Sequence, residues 1–250
     1  MELMISKLLG FVLVLTRMST FFLVSPVFSW NTVPVRFRVA FILLISIFFS
    51  TMLPSPARPD EISSIEAILM ISNEAVYGFA LGLVVVLIFS AIKITGRIIE
   101  RQMGMAMAET LDPLTGERGQ PLGLLIEMIF ILLFLSANGH HLFMIIISRS
   151  YESFPSGSIP TIPVLLEGVT AAGSTMLIVC LRLAAPMLAA FLMLLVVLGV
   201  FARIMPDMNV LFISMPLRVG MGLLMMGIFL PFINQFIGEF AKWMGKLLPL

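Results

Sequence analysis

An all-α, membrane-type fold made of broken hydrophobic helices is what this sequence predicts, and three observations carry it. Hydrophobic residues make up 60% of the 250 and charged ones only 12%, at a mean hydropathy of +1.11. Soluble domains run at about 45–50% apolar and about 25% charged, and a fold of this size has too little interior to hide the surplus. The excess therefore faces lipid or partner subunits. The apolar residues are also gathered into six blocks, several as long as the roughly 18 residues that mark a membrane helix. No block shows the sustained alternation of a lipid-facing barrel strand.

The first block, Leu8–Phe28, holds one charge, Arg17. The residues before it carry Glu2 and Lys7 but no clean small-residue cleavage site, so the segment reads as a retained first helix. Val39–Leu53 is short for a span and ends on Pro54-Ser55-Pro56-Ala57-Arg58-Pro59-Asp60, a stiff, helix-breaking connection. Asp60 or Ser63 is placed to cap the helix that follows. Ala75–Ile92 and Met128–Ser148 contain no Asp, Glu, Lys or Arg. Between them Asp112-Pro113-Leu114-Thr115-Gly116 is a turn, where Pro fixes one dihedral and Gly permits a left-handed one. An irregular stretch from Phe154 to Pro163 leads to Gly168–Ala202, interrupted by Arg182 and Pro186. The last block, Val219–Gly238, contains Pro231, Asn234 and Gln235. No internal repeat stands out, and residues 1–250 read as a single domain.

Net charge is +1, which points neither to nucleic acid nor to a polybasic lipid anchor. For six spans, Arg36, Arg38, Lys93, Arg97, Arg101, Arg118, Arg203 and Arg218 fall in odd-numbered loops. Lys7, Arg58, Arg149, Lys242 and Lys246 fall elsewhere, which favours cytoplasmic odd loops and outside termini. Cys180, the single cysteine, lies in an apolar run and reads as a small buried hydrophobe. His140 and His141 are adjacent, and on a helix they point about 100° apart, unsuited to one metal. They read as buried structural residues or as part of a helix break. No cofactor and no metal is expected. No nucleophile–base set, His-Glu-x-x-His or phosphate-cradling loop occurs in the chain, so no catalytic residue is expected and the protein reads as a non-enzyme.

Charges and prolines inside the blocks argue against a bundle bathed only in lipid. An unpaired arginine at the bilayer centre costs on the order of 3 kcal/mol or more, so Arg17 and Arg182 either snorkel, pair locally, or meet other protein. Pro186, Pro206, Pro216 and Pro231 free carbonyls that need partners. Gly220, Gly222 and Gly227 allow close helix approach. Met103, Met105 and Met107 precede the Asp112–Gly116 turn; they suit ordinary core filling or a compliant seal around a pore.

Four groups of residues give the chain a likeness. They are Arg17-Met18-Ser19 through Pro26-Val27-Phe28 to Pro34-Val35-Arg36; Gln102-Met103-Gly104 with Leu111-Asp112-Pro113 and Gly116; Ser136-Ala137-Asn138-Gly139-His140-His141; and Gly199, Arg203, Pro206, Asn209, Pro216 and Gly220 in that spacing. With these the sequence resembles the FliR family of flagellar export-gate proteins and its type III secretion relatives (the SctT group). It departs at Ser29, where glycine is usual, and at Leu111, where phenylalanine is frequent.

The resemblance implies that the chain packs, as the single odd subunit, with several copies of FliP and FliQ into a hetero-oligomeric helical export-gate cone. FlhB would wrap its entrance and FlhA lie nearby. Such a cone conducts unfolded flagellar polypeptides outward at the bacterial inner membrane, within the flagellar basal body. The resemblance further implies a pore plug over Met103–Gly119, with Met103, Met105, Met107, Leu111, Asp112, Pro113, Leu114 and Gly116 as its candidates. Arg17, Pro26, Pro34, Arg36, Asn138, Gly139, His140, Arg203, Pro206, Asn209, Pro216 and Gly220 are then structural motif positions. Two alternatives stand beside this reading: the equivalent subunit of a virulence type III system, and a secondary transporter of small solutes, whose binding sites also use broken helices.

Overall fold

The computed structural model describes residues 2–26, 34–53, 63–104, 121–158, 162–205, 209 and 212–228, and their regular structure is helical throughout. In chain order the helices are α1 (Glu2–Val24), α2 (Val35–Met52), α3 (Ser64–Gln102), α4 (Pro121–Ser136), α5 (Gly139–Ser153), α6 (Ile162–Ile204) and α7 (Phe212–Ile228). Four of them (α1, α2, α3 and α6) are long and apolar enough to cross a membrane, or five spans in all if α4 and α5 form one broken span. At 1.5 Å per residue α3 and α6 are each roughly 60 Å long, about twice a bilayer's hydrocarbon core.

Local chemistry sets the helix boundaries. Pro34 stands at the N-cap of α2, with its carbonyl accepting from Phe37 N and Arg38 N, so the second apolar block gains a turn and reaches 18 residues. Ser63 caps α3: its hydroxyl accepts from Ile65 N at 3.4 Å, and the Glu66 carboxylate accepts from Ser63 N at 2.8 Å. Asp60, the other candidate cap, lies outside the described residues.

Two expectations about helix continuity change. Met128–Ser148 is two helices rather than one, because Asn138 takes φ 59°, a left-handed conformation that asparagine tolerates better than most residues. Conversely, α6 runs unbroken through Pro186. A proline there removes only the hydrogen bond to the Arg182 carbonyl, and the apolar turns on either side carry the helix across. Hydroxyls inside the apolar helices bond backward within their own helix. Thr16 donates to Val12 O, Thr20 to Thr16 O, Ser46 to Ile42 O and Thr95 to Ala91 O. No polar hydrogen is left to face hydrocarbon at those positions.

The chain forms two compact units, each with its own core. The first takes residues up to Ile88 together with Asn138–Gly173, hence α1, α2, the first part of α3, α5 and the start of α6. Here α1 packs on α2, and Phe21 meets Phe22 and Phe143 edge to face at 5.2 and 5.8 Å. The second takes Phe89–Ala137 and Ser174–Phe240, hence the rest of α3, α4, most of α6 and α7. Its core centres on Phe89, which sits 5.1 Å from Phe130 and 5.2 Å from Phe134. Cys180 is buried in this second unit, a free thiol filling core space.

Large apolar side chains still point outward from both units. Phe37, Leu44, Ile47 and Phe48 on α2 and Leu181, Leu192, Met193 and Val196 on α6 are exposed. These faces are where the compositional surplus goes.

Candidate functional site

The most polar point in the first unit is also among its most buried. Arg17, on α1, is 1% exposed, and its Nε donates to Glu74 Oε2 on α3 at 2.6 Å. Its Nη1 donates to the Ser150 carbonyl at 3.2 Å and to Ser150 Oγ at 3.3 Å, and its Nη2 donates to the Phe154 carbonyl at 3.1 Å. Those carbonyls lie at the C-terminal end of α5, the negative end of that helix, where the Ser150 carbonyl also accepts from Phe154 N at 2.9 Å. The guanidinium also lies 4.0 Å from the ring centre of Tyr151 and 4.8 Å from that of Tyr77. Glu74 in turn accepts from Gly157 N at 2.8 Å with its second oxygen. Gly157 has φ 85°, a conformation that suits glycine.

One arginine thus ties α1, α3, α5 and the turn after α5 together. Of the ways to accommodate this charge, local pairing with a carboxylate and a helix end is the one used. The close approach that makes it possible comes from Gly78 on α3, where a methyl group would overlap Thr20 Oγ1 and the Arg17 carbonyl oxygen. One turn on, a methyl group at Gly82 would come within 2.9 Å of Val24 Cβ.

A counterpart occurs in the second unit. Glu100, 4% exposed, accepts from Gly123 N at 3.4 Å, placing its charge at the first turn of α4, the positive helix end. Lys93 pairs with Glu127 at 3.1 Å across the same two helices. Gly96 allows the crossing, since a methyl group there would lie 2.8 Å from Gly123 Cα. Thr95 Oγ1 reaches the Cys180 carbonyl of α6 at 3.4 Å.

Where this crossing ends, α3 delivers the first of the predicted plug residues. Met103 N bonds Ile99 O at 3.0 Å, and its side chain is 2% exposed. Gly104 follows at φ 79° and ends the helix, with Gly104 N donating to Arg101 O at 3.1 Å. Met105, Met107, Leu111, Asp112, Pro113, Leu114 and Gly116 lie outside the described residues.

The remaining motif positions are distributed along the chain. Pro26 follows α1 and is half-buried, while Pro34 and Arg36 at the start of α2 are exposed. Asn138 supplies the break between α4 and α5, and Gly139 behind it is buried. His140 and His141 meet edge to face at 4.4 Å, both exposed and directly after the Asn138 break, so of the two readings the buried one is not met and the helix-break one agrees with their place. Arg203, Asn209, Pro216 and Gly220 are all exposed, and Pro206 lies outside the described residues. No group of three metal-ligating side chains converges among the described residues.

Sequence reasoning missed Glu74. Its signal was present: it is the acidic residue abutting the charge-free block that begins at Ala75. Ser150, as a backbone acceptor 133 positions from Arg17, carries no such signal.

Comparison with known proteins bears on the whole chain. The family model described as bacterial export proteins, family 1, matches residues 8–243. The flagellar biosynthetic protein FliR of Bacillus subtilis (strain 168) is 30% identical over 224 residues, covering 87% of this chain and 84% of that protein. FliR of Escherichia coli (strain K12) is 28% identical, over 85% of this chain and 80% of its own length. The Yop proteins translocation protein T of Yersinia pestis is 27% identical, over 89% and 86%.

Proposed function

The chain belongs to the family of bacterial export proteins, family 1, and from that membership we propose that it is a core subunit of the flagellar type III protein-export gate. It is a multi-pass protein of the bacterial inner membrane and a component of an export apparatus. In our reading the whole chain, 1–250, acts as one export-gate domain at the flagellar basal body. It assembles with FliP-, FliQ-, FlhB- and FlhA-like subunits, contributes to the pore, and supplies a plug from Met103–Gly119 through which unfolded polypeptides thread.

The observation that carries this reading is the match from residue 8 to residue 243, which takes in every motif group from Arg17 to Gly220. Physical chemistry supports the plug assignment: methionine side chains are linear, polarisable and adaptable. They can close around an arbitrary chain and seal against ions without reading sequence. The outward apolar faces of α2 and α6 offer surface for unlike companions.

Deleting residues 105–116 and measuring ion leak together with export of flagellar subunits tests the plug. The expected result is a leaky membrane and altered export. A tight membrane with unaltered export would overturn the assignment. The Yersinia match favours a second reading, the same subunit in a virulence-type system. Flagellar or needle-complex genes beside this one decide between the two.

A further inference from the structure

We infer that Gly222 of α7 is the socket that holds Met103, and that it acts as a positioning residue for the seal of the export gate. The inference rests on the gate reading above and goes one step deeper into it.

Three features of the second unit lead there. Met103 stands one residue past the end of α3 and is buried. Its side chain lies against α7: a methyl group at Gly222 would overlap the Met103 Cγ, Sδ and Cε atoms, so the side chain fills the space a Cβ there would need. The glycines on either side in α7, Gly220 and Gly227, have nothing among the described residues within 4 Å of that position, so Gly222 is the one of the three that Met103 fills.

The order along the chain gives the contact its consequence. Met103 is held, then Gly104 turns the backbone out of the helix at φ 79°. Residues 105–116 begin immediately afterwards. A seal made of compliant side chains works only if its root is fixed, because methionine has three rotatable bonds and sets no position by itself. The Met103–Gly222 contact fixes that root and makes it depend on α7.

The test uses the full chain in its assembled complex. Gly222→Ala adds one carbon that must push the Met103 side chain out, and the atoms it meets first all belong to that flexible side chain rather than to backbone. Met103→Ala empties the socket. Both are expected to raise ion leak several-fold above the parent at an unchanged amount of complex. The reversed pair, Met103→Ala with Gly222→Met, refills the contact from the other side and is expected to bring the leak back toward the parent. If Gly222→Ala is as tight as the parent and exports normally, the inference is overturned, while leak on deleting 105–116 would leave the gate reading standing.

Should Gly222→Ala lower the amount of complex, Met103→Cys with Gly222→Cys in a Cys180→Ala background decides. With the disulfide formed, export at the rate of the same protein reduced supports a fixed anchor. Export that stops on oxidation means the contact must open, and the anchor is wrong.

Discussion

At the scale of single residues, the Arg17–Glu74 pair shows how a charge survives in an apolar helix. Burying both charges costs several kcal/mol per ion, and the pair recovers this only because nearly every donor is used: a carboxylate, two carbonyls, a hydroxyl and two aromatic faces. Removing one partner is therefore far worse than removing both. Glu74→Ala leaves a guanidinium without its counter-ion and is expected to destabilise the chain by about 3–5 kcal/mol. Arg17→Met combined with Glu74→Leu is expected to be markedly milder. Thermal unfolding of the purified complex in detergent compares them, and a double variant as damaged as Glu74→Ala would refute the account. Tyr151 gives the opposite sign: its hydroxyl is buried with no hydrogen-bond partner, while its ring does the work over Arg17. Tyr151→Phe removes the unsatisfied group and is expected to be neutral or stabilising by about 1 kcal/mol in the same assay. The cost of Arg17 was legible in the sequence, because a charge amid apolar residues is conspicuous. Its partners were not, since Glu74 is 57 positions away and Ser150 is 133, and only tertiary packing brings them together.

At the scale of elements, glycines separate into those that let helices touch inside the chain and those that do not. Gly78 and Gly96 lie against backbone of a neighbouring helix, so an added methyl group has nothing flexible to displace. Gly173 and Gly199 on α6 have nothing among the described residues within 4 Å, and there alanine would be the better helix former by roughly 0.5–1 kcal/mol. Gly78→Ala and Gly96→Ala are expected to reduce the yield of folded chain sharply. Gly173→Ala and Gly199→Ala are expected to leave folding intact or improve it. Helical circular dichroism on heating the isolated chain in detergent ranks the four, and a collapse of Gly199→Ala there would contradict the open space around it. The sequence showed these glycines but not which of them faced a neighbour, because that depends on the rotation of each helix about its axis. Arg182 and Arg203 illustrate a pattern that could be read in advance. Both are exposed on α6, with a charge-free stretch from Leu183 to Ala202 between them. At 1.5 Å per residue that stretch is roughly 30 Å, a bilayer core in length, so snorkelling to either interface accommodates both charges. Asn138 was readable only in part. The pair Asn138-Gly139 marked a possible break, but the uncharged run around it matched a continuous span equally well.

At the scale of the whole molecule, each unit pairs buried charges among its described residues internally and leaves apolar surface outside. Each has a buried charge at a helix end: Arg17 at the C-terminus of α5, Glu100 at the N-terminus of α4. Arg17 and Glu100 thus find their partners within their own units, while the outward apolar side chains need lipid or protein. In this the composition was a sound guide, since a surplus of hydrophobic residues has to appear as outward side chains whatever the fold. What it left open is how that surface divides between lipid and subunits, because a lipid tail and an apolar helix face are chemically alike. Expressed alone, the chain is expected to require detergent and to aggregate on its dilution. Expressed with the other export subunits, it is expected to purify as part of a stable complex of unlike chains, with α2 and α6 protected from exchange or labelling relative to the isolated chain. Cysteines placed at Phe48 and Met193, both outward-facing, would report this through their reactivity to a membrane-permeant thiol reagent. Loss of reactivity on assembly supports burial of these faces against other protein. Equal reactivity in the isolated and assembled forms would mean that lipid alone covers them, and the export-gate reading would then have to find its subunit contacts elsewhere on the chain.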